Sequence, residues 1–172
     1  MMPAIATTES ADPAPTASTT PDDLQDGDLQ DGDTVAYGTL DAAVAAQPVP
    51  ETMSEELQCM AGAIYFEAKG EPLDGQLAVA EVILNRSKSG RFPKGVCSVV
   101  TQPGQFSFVR GGHVPAIPQT KQYRTAVAVA RVALADAWDS AASTAMYFHA
   151  RRVAPSWHRV QVAAIGNHLF YR

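Results

Sequence analysis

One stretch near the middle of the chain constrains the fold more than any other. From Leu73 to about Ser89 the residues read as a helix, and Leu77, Ala78, Val79, Ala80, Val82, Ile83 and Leu84 leave it no polar side. A helix apolar nearly all round must be enclosed by other elements. The chain has 172 residues, enough for one domain wrapped around such a helix and little more. The candidates for the wrapping lie on both sides of it. Before it, Thr52 and Glu55 have capping-box spacing, and Leu57, Met60, Ala61, Ile64, Tyr65 and Ala68 recur at helical spacing. This predicts a helix over 54–68, stopped by Gly70 and Pro72. After it come a short turn of helix over 96–101 and a Pro- and Gly-rich loop over 102–119. A further helix is expected over 120–138. Three short strands follow, over 145–149, 160–165 and 168–171, the last two turning at Gly166-Asn167. The expected class is α+β, a mainly helical body with a small antiparallel sheet.

Charge divides the chain unevenly. Residues 1–52 hold ten acids and no Lys or Arg, whereas residues 53–172 hold eight acids and all 13 bases, a net of 13 − 8 = +5. Of the 13 aromatic residues only Tyr37 lies in the first part. A segment with such charge and so few aromatics cannot bury enough surface to offset its ordering entropy. Residues 1–52 therefore read as a disordered acidic leader, and 53–172 as the folded domain. The tandem DLQDGDLQDGD supports that reading. Its Asp26, Asp28, Asp31 and Asp33 lack the distal Glu of a calcium loop and read as a solvated acidic tail. The start, MMPAIATTESADPAP, lacks the basic and apolar stretches of a secretory signal. No apolar run reaches the roughly 18 residues needed to span a bilayer.

Glu67 is the first candidate for chemistry. It closes the first helix in Ile64-Tyr65-Phe66-Glu67-Ala68, beside two aromatics. Apolar surroundings would raise its pKa and keep it protonated, as a general acid requires. Two plainer readings stay open: an exposed helix-terminal Glu, or one paired with Arg86. Glu71, in the turn before Pro72, reads as a cap or a backbone-binding carboxylate. Glu81 lies on the buried helix near Asn85 and Arg86 and reads as part of a polar network. In the loop, QPGQFSF offers Gln105 and Ser107 as hydrogen-bonding groups and Phe106 and Phe108 as flat apolar faces, a mix that suits sugar rings. Loop aromatics also commonly anchor a loop to its core.

Cys59 and Cys97 have no activating surroundings for a nucleophile. In an exported domain they form one disulfide; two buried free thiols are the alternative. His149, His158 and His168 lack metal-ligand spacing, and no Cys-x-x-Cys accompanies them, so neither a metal nor a cofactor is expected. No nucleic-acid-binding signature accompanies the basic body.

The segments CMAGAIYFEAKGEPLDGQLAVAEVILNR, RFPKGVCSVVTQPGQFSF, AMYFHA and IGNHLFYR, in this order, resemble the cell-wall hydrolase family of the spore cortex-lytic enzymes. The resemblance spans residues 54–172. It implies a lysozyme-like α+β fold and cleavage of the β-1,4 bond between N-acetylmuramic acid and N-acetylglucosamine in peptidoglycan, by lytic transglycosylase chemistry. It implies Glu67 as the catalytic acid. It also implies Gln105, Phe106, Ser107 and Tyr147 as groove residues, with Glu71 matching the same motif. His149 and Trp157 are expected beside them. The expected place of action is the cell envelope, periplasmic or secreted, with peptidoglycan strands as the partner and no membrane insertion. A non-catalytic glycan-binding module and a hydrolytic muramidase are the competing readings. The charge split adds one expectation, that the acidic leader restrains the basic groove electrostatically.

Overall fold

In the computed structural model, residues 35–172 are described. Five helices and three strands follow in order: α1 (Leu40–Ala45), α2 (Glu55–Ala68), α3 (Leu73–Lys88), α4 (Val96–Val100), α5 (Lys121–Leu134), β1 (Tyr147–Ala150), β2 (Gln161–Ile165) and β3 (His168–Tyr171). The internal helix is α3. Leu77, Ala78, Val79, Ala80, Val82 and Ile83 are fully enclosed, and α2, α4 and α5 pack around them. Its small residues let neighbouring backbones approach closely. Gly62 on α2 serves the same end, because a Cβ there would stand 2.5 Å from the Val114 side chain of the long loop.

The helix ends are set by local chemistry. Ser54 caps α2, its Oγ accepting from the Leu57 amide at 3.2 Å. The Thr52–Glu55 capping box expected from spacing does not form. Helix α5 opens with Thr120 accepting from the Tyr123 amide and ends at Leu134, four residues short of the expected Trp138. Asp136 takes φ 52°, and the amides of Asp136 and Ala137 donate back to Ala133 and Val132. This is the paired closure usually built on glycine. An aspartate in that place left no stop signal in the sequence.

The sheet is antiparallel with order β1-β3-β2. Strands β2 and β3 form the hairpin turning at Gly166-Asn167, and β1 pairs Phe148 with Phe170 and Tyr147 with Tyr171. The polar positions of α3 position this sheet. Asn85 donates to the carbonyls of Ser143 and Ala145, each at 2.8 Å. Arg86 Nε donates to the Met146 carbonyl at 2.8 Å. Glu81 accepts from the Ser140 amide at 2.8 Å and from its hydroxyl. The expected buried network is present, but each member holds the chain over 140–146 rather than one another. Burial pushes the Glu81 carboxyl up, and the two Ser140 hydrogen bonds oppose that shift.

The structure corrects the boundary at residue 52. Thr39 caps α1, and Leu40 (8% exposed) and Ala43 (0%) join the core against α5. Alternate small and apolar residues let this short helix bury one face despite the acidic composition around it. Residues 1–34 of the predicted leader, with its repeat, lie outside the described residues. Cys59 and Cys97 form the expected disulfide, Cα atoms 5.3 Å apart, tying α2 to α4.

Two outcomes follow from this packing. The Leu40→Ala variant should lose about 2–3 kcal/mol in urea unfolding, as a core truncation does; a loss under ~0.5 kcal/mol would return α1 to the leader. Replacing both cysteines by alanine should cost about 3–4 kcal/mol on the chain-entropy account, read from the same unfolding curves under non-reducing conditions.

Candidate active site

The last turn of α2, the turn that follows it and Arg86 near the end of α3 meet the 102–108 loop and the sheet around a cavity of about 720 Å³. Glu67 lies in its wall, half-buried. Its neighbour Phe66 stacks on Phe108, ring centroids 4.8 Å apart and planes 16° from parallel. Phe106 packs on Phe108 in turn. The aromatic pair seen in the sequence therefore clamps the loop against the helix that carries Glu67. Among the described residues no side chain hydrogen-bonds the Glu67 carboxyl, and burial alone pushes its pKa above the ordinary 4.5. The expected alternative of a pair with Arg86 is not formed. The Arg86 guanidinium lines the same cavity, but it is turned to the Met146 carbonyl and, at 3.3 Å, to Gln105 Oε1.

Other expected site residues divide into three groups. Gln105 and Ser107 line the cavity with Glu67 and are exposed to it. Phe106 lines it too, yet is only 7% exposed; its ring is an anchor in the core rather than an open platform. Glu71 also lies in the wall, but as a latch. Its Oε2 accepts from the Asn167 amide at 2.8 Å and its Oε1 from Asn167 Nδ2 at 3.0 Å. Gly166 is required beside it, with φ 53° and no room for a Cβ, which would stand 1.8 Å from Glu71 Oε2. The carboxylate thus fastens the β2–β3 turn while it lines the cavity.

Tyr147 and Trp157 do not line this cavity. Tyr147 is set back from the lining, its ring 5.5 Å from the Arg86 guanidinium that faces the cavity. There Tyr147, His149 and Tyr171 gather around Trp157, with centroids 5.8, 5.9 and 5.8 Å from it. Arg159 covers the Tyr147 ring at 3.5 Å. His149 reaches the cavity rim, but both its ring nitrogens are engaged, Nδ1 with the Ala150 carbonyl and Nε2 with the Tyr171 hydroxyl, each at 2.8 Å. Because Nδ1 faces a carbonyl it carries the proton, and Nε2 accepts from the tyrosine. This aromatic set packs the 151–160 loop on the sheet, and of it His149 lines the cavity while Tyr147 and Trp157 do not.

Several wall residues escaped the sequence reading. Arg151, Arg152, Phe148, Asn167 and His168 all face the cavity. His168 is 7% exposed, its Nδ1 lacks a partner among the described residues, and burial holds its pKa down. The only hint of them was the proximity of the ARR and GNH segments to the predicted strands. A second cavity, of about 650 Å³, opens beside the disulfide. Its one carboxylate, Glu55, stands exposed at the start of α2, without the burial that distinguishes Glu67.

The chain is similar to known proteins in sequence and in fold. The family described as Cell Wall Hydrolase matches residues 70–171, from three residues beyond Glu67. Spore cortex-lytic enzymes are similar in sequence: that of Oceanobacillus iheyensis is 39% identical over 128 residues, 71% of this chain and 44% of the relative. That of Bacillus subtilis is 35% identical over 133 residues, 74% of this chain and 41% of the relative. The chain thus spans less than half the length of these curated relatives. Among solved structures, the catalytic domain of the Bacillus cereus SleB protein is 38% identical with a TM-score of 0.57, covering 72% of this chain and 95% of that one. The catalytic domain of the germination-specific lytic transglycosylase SleB from Bacillus anthracis gives 38% and 0.58, covering 72% and 100%. By the extent of the family match and of these identities, this chain belongs to the cell wall hydrolase family.

Proposed function

We propose that this chain degrades peptidoglycan as a lytic transglycosylase, cleaving between N-acetylmuramic acid and N-acetylglucosamine with Glu67 as its single catalytic carboxyl. The observation that carries the reading is a half-buried, unpartnered carboxyl in the wall of a sugar-sized cleft, raised in pKa by burial. In its protonated form, which burial favours, it can donate to a glycosidic oxygen. The bond from that oxygen to muramic C1 then breaks. The substrate's own acetamido oxygen stabilises the electron-poor C1, as in substrate-assisted glycosidases. Glu67, now a carboxylate, takes the proton of the muramic 6-hydroxyl, and O6 bonds to C1. A 1,6-anhydro ring closes and the acid is restored without an added water.

The single-carboxyl scheme is supported by the commitments of the neighbouring acids. Both Glu71 oxygens are occupied by Asn167, and Glu81 is bound to Ser140. One similar solved structure, the catalytic domain of a germination-specific lytic transglycosylase, supports the same reading. Peptidoglycan lies outside the cytoplasm, so the envelope is the proposed place of action. Among the described residues no helix is long and apolar enough to cross a membrane.

Glu67→Gln should lower turnover of purified peptidoglycan about 10²–10⁴-fold, the range for lost acid-base assistance, with circular dichroism unchanged. Mass spectrometry of wild-type products should find 1,6-anhydromuramic ends. Reducing ends would replace the 6-hydroxyl by water, and intact glycan would favour the binding module. The protonated form starts the reaction, so kcat/KM should fall as pH rises through the raised Glu67 value. A flat profile from pH 4 to 8 would remove Glu67 from the role of acid.

A further inference from the structure

The charge of the cleft is not explained by cutting a neutral sugar chain. Three guanidinium groups, of Arg86, Arg151 and Arg152, line the cavity that contains Glu67 and Glu71. With Glu67 protonated the lining carries 3 − 1 = +2, and with Glu67 ionised 3 − 2 = +1. N-acetylated sugars offer these cations no charge to meet. Arg86 is accounted for by the fold, being buried and bonded to Met146 and Gln105. The other two are exposed on the rim.

Arg151 is held ready there. Its amide donates to the Asn167 carbonyl at 2.8 Å and its Nε to the Gly166 carbonyl at 2.8 Å. The Glu71 latch fixes that turn from below. Trp157 and the aromatic face of the sheet hold the same loop a few residues further on. Only Nε of Arg151 is engaged, which leaves its terminal nitrogens as donors. Arg152, next to it, makes no hydrogen bond among the described residues. A held guanidinium with a free one next to it in the chain suits a carboxylate, which they can grip through paired N–H donors.

We infer that Arg151 and Arg152 form a carboxylate-binding rim that takes an acidic group of the stem peptide, so that the cleft prefers peptide-bearing glycan strands to bare ones. This rests on the proposed action on peptidoglycan. In that polymer the lactyl groups are tied up in amide bonds to the stems, and the free carboxylates belong to the peptides.

The experiment compares kcat/KM on peptide-bearing strands with that on strands stripped of their stems by an amidase, the lactyl carboxylates that this frees being capped as neutral methylamides. Wild type should favour the peptide-bearing form. In Arg151→Gln/Arg152→Gln the ratio of the two values should fall about 3- to 10-fold, the span expected for two solvent-exposed charge pairs. Arg152→Gln alone, which touches no hydrogen bond of the fold, should lower it about 2- to 3-fold. The control Lys88→Gln/Lys94→Gln removes the same charge from exposed positions outside the cleft and should leave the ratio unchanged. An equal fall in the control would assign the preference to long-range attraction and overturn the rim. An unchanged ratio in the rim variants would overturn it as well. If wild type cuts neither substrate, the proposed function itself has failed.

Discussion

The structure depends on one helix being enclosed along its body and polar at its end. The apolar residues of α3 bring α2, α4 and α5 together by burial alone, which is non-directional and sets no exact position. Direction comes from Glu81, Asn85 and Arg86. They hydrogen-bond the chain over 140–146 and so decide where β1 begins. Such buried polar contacts are expensive to leave unmade. A shift of the sheet against the helices would strand several at once. The cleft lies between those two bodies, so its width is set by the end of α3.

Around the cleft, residues that look like ligands in the sequence hold the frame instead. Glu71 fastens a turn, Phe106 anchors a loop, and Tyr147, His149 and Trp157 pack on one another beside the 151–160 loop. This leaves Glu67 as the acid without a fixed partner. That isolation is chemically useful, because burial without a donor shifts a carboxyl toward its protonated form. The same geometry leaves the rim arginines as exposed charges of the cleft.

Much of the helical part was legible from residues. The spacing of Leu57, Met60 and Ile64 located α2, and the continuous apolar run located α3, each to within a residue or two. Gly166-Asn167 located the hairpin. The misses have local causes. Ser54 rather than Thr52 caps α2, since both residues can cap and spacing does not choose between them. Helix α5 stops early because Asp136 takes a left-handed conformation that its residue type does not advertise. Helix α1 was hidden in an acidic segment, because composition averaged over fifty residues conceals a six-residue helix with one buried face.

For the site the division is sharper. The motif around Glu67 and its family resemblance pointed to the acid, and the two cysteines to the disulfide. Both rest on residue type and local context, which a sequence carries directly. Which groups share the cleft with Glu67 was decided only by the tertiary structure. Arg151, Arg152 and His168 are more than 80 residues from Glu67 along the chain and reach it through strand pairing. Tyr147 and Phe148 are adjacent in sequence and fall on opposite faces of the sheet. Residue chemistry is written in the order of the chain, whereas the face a side chain occupies depends on a register that only the packed helices and sheet impose.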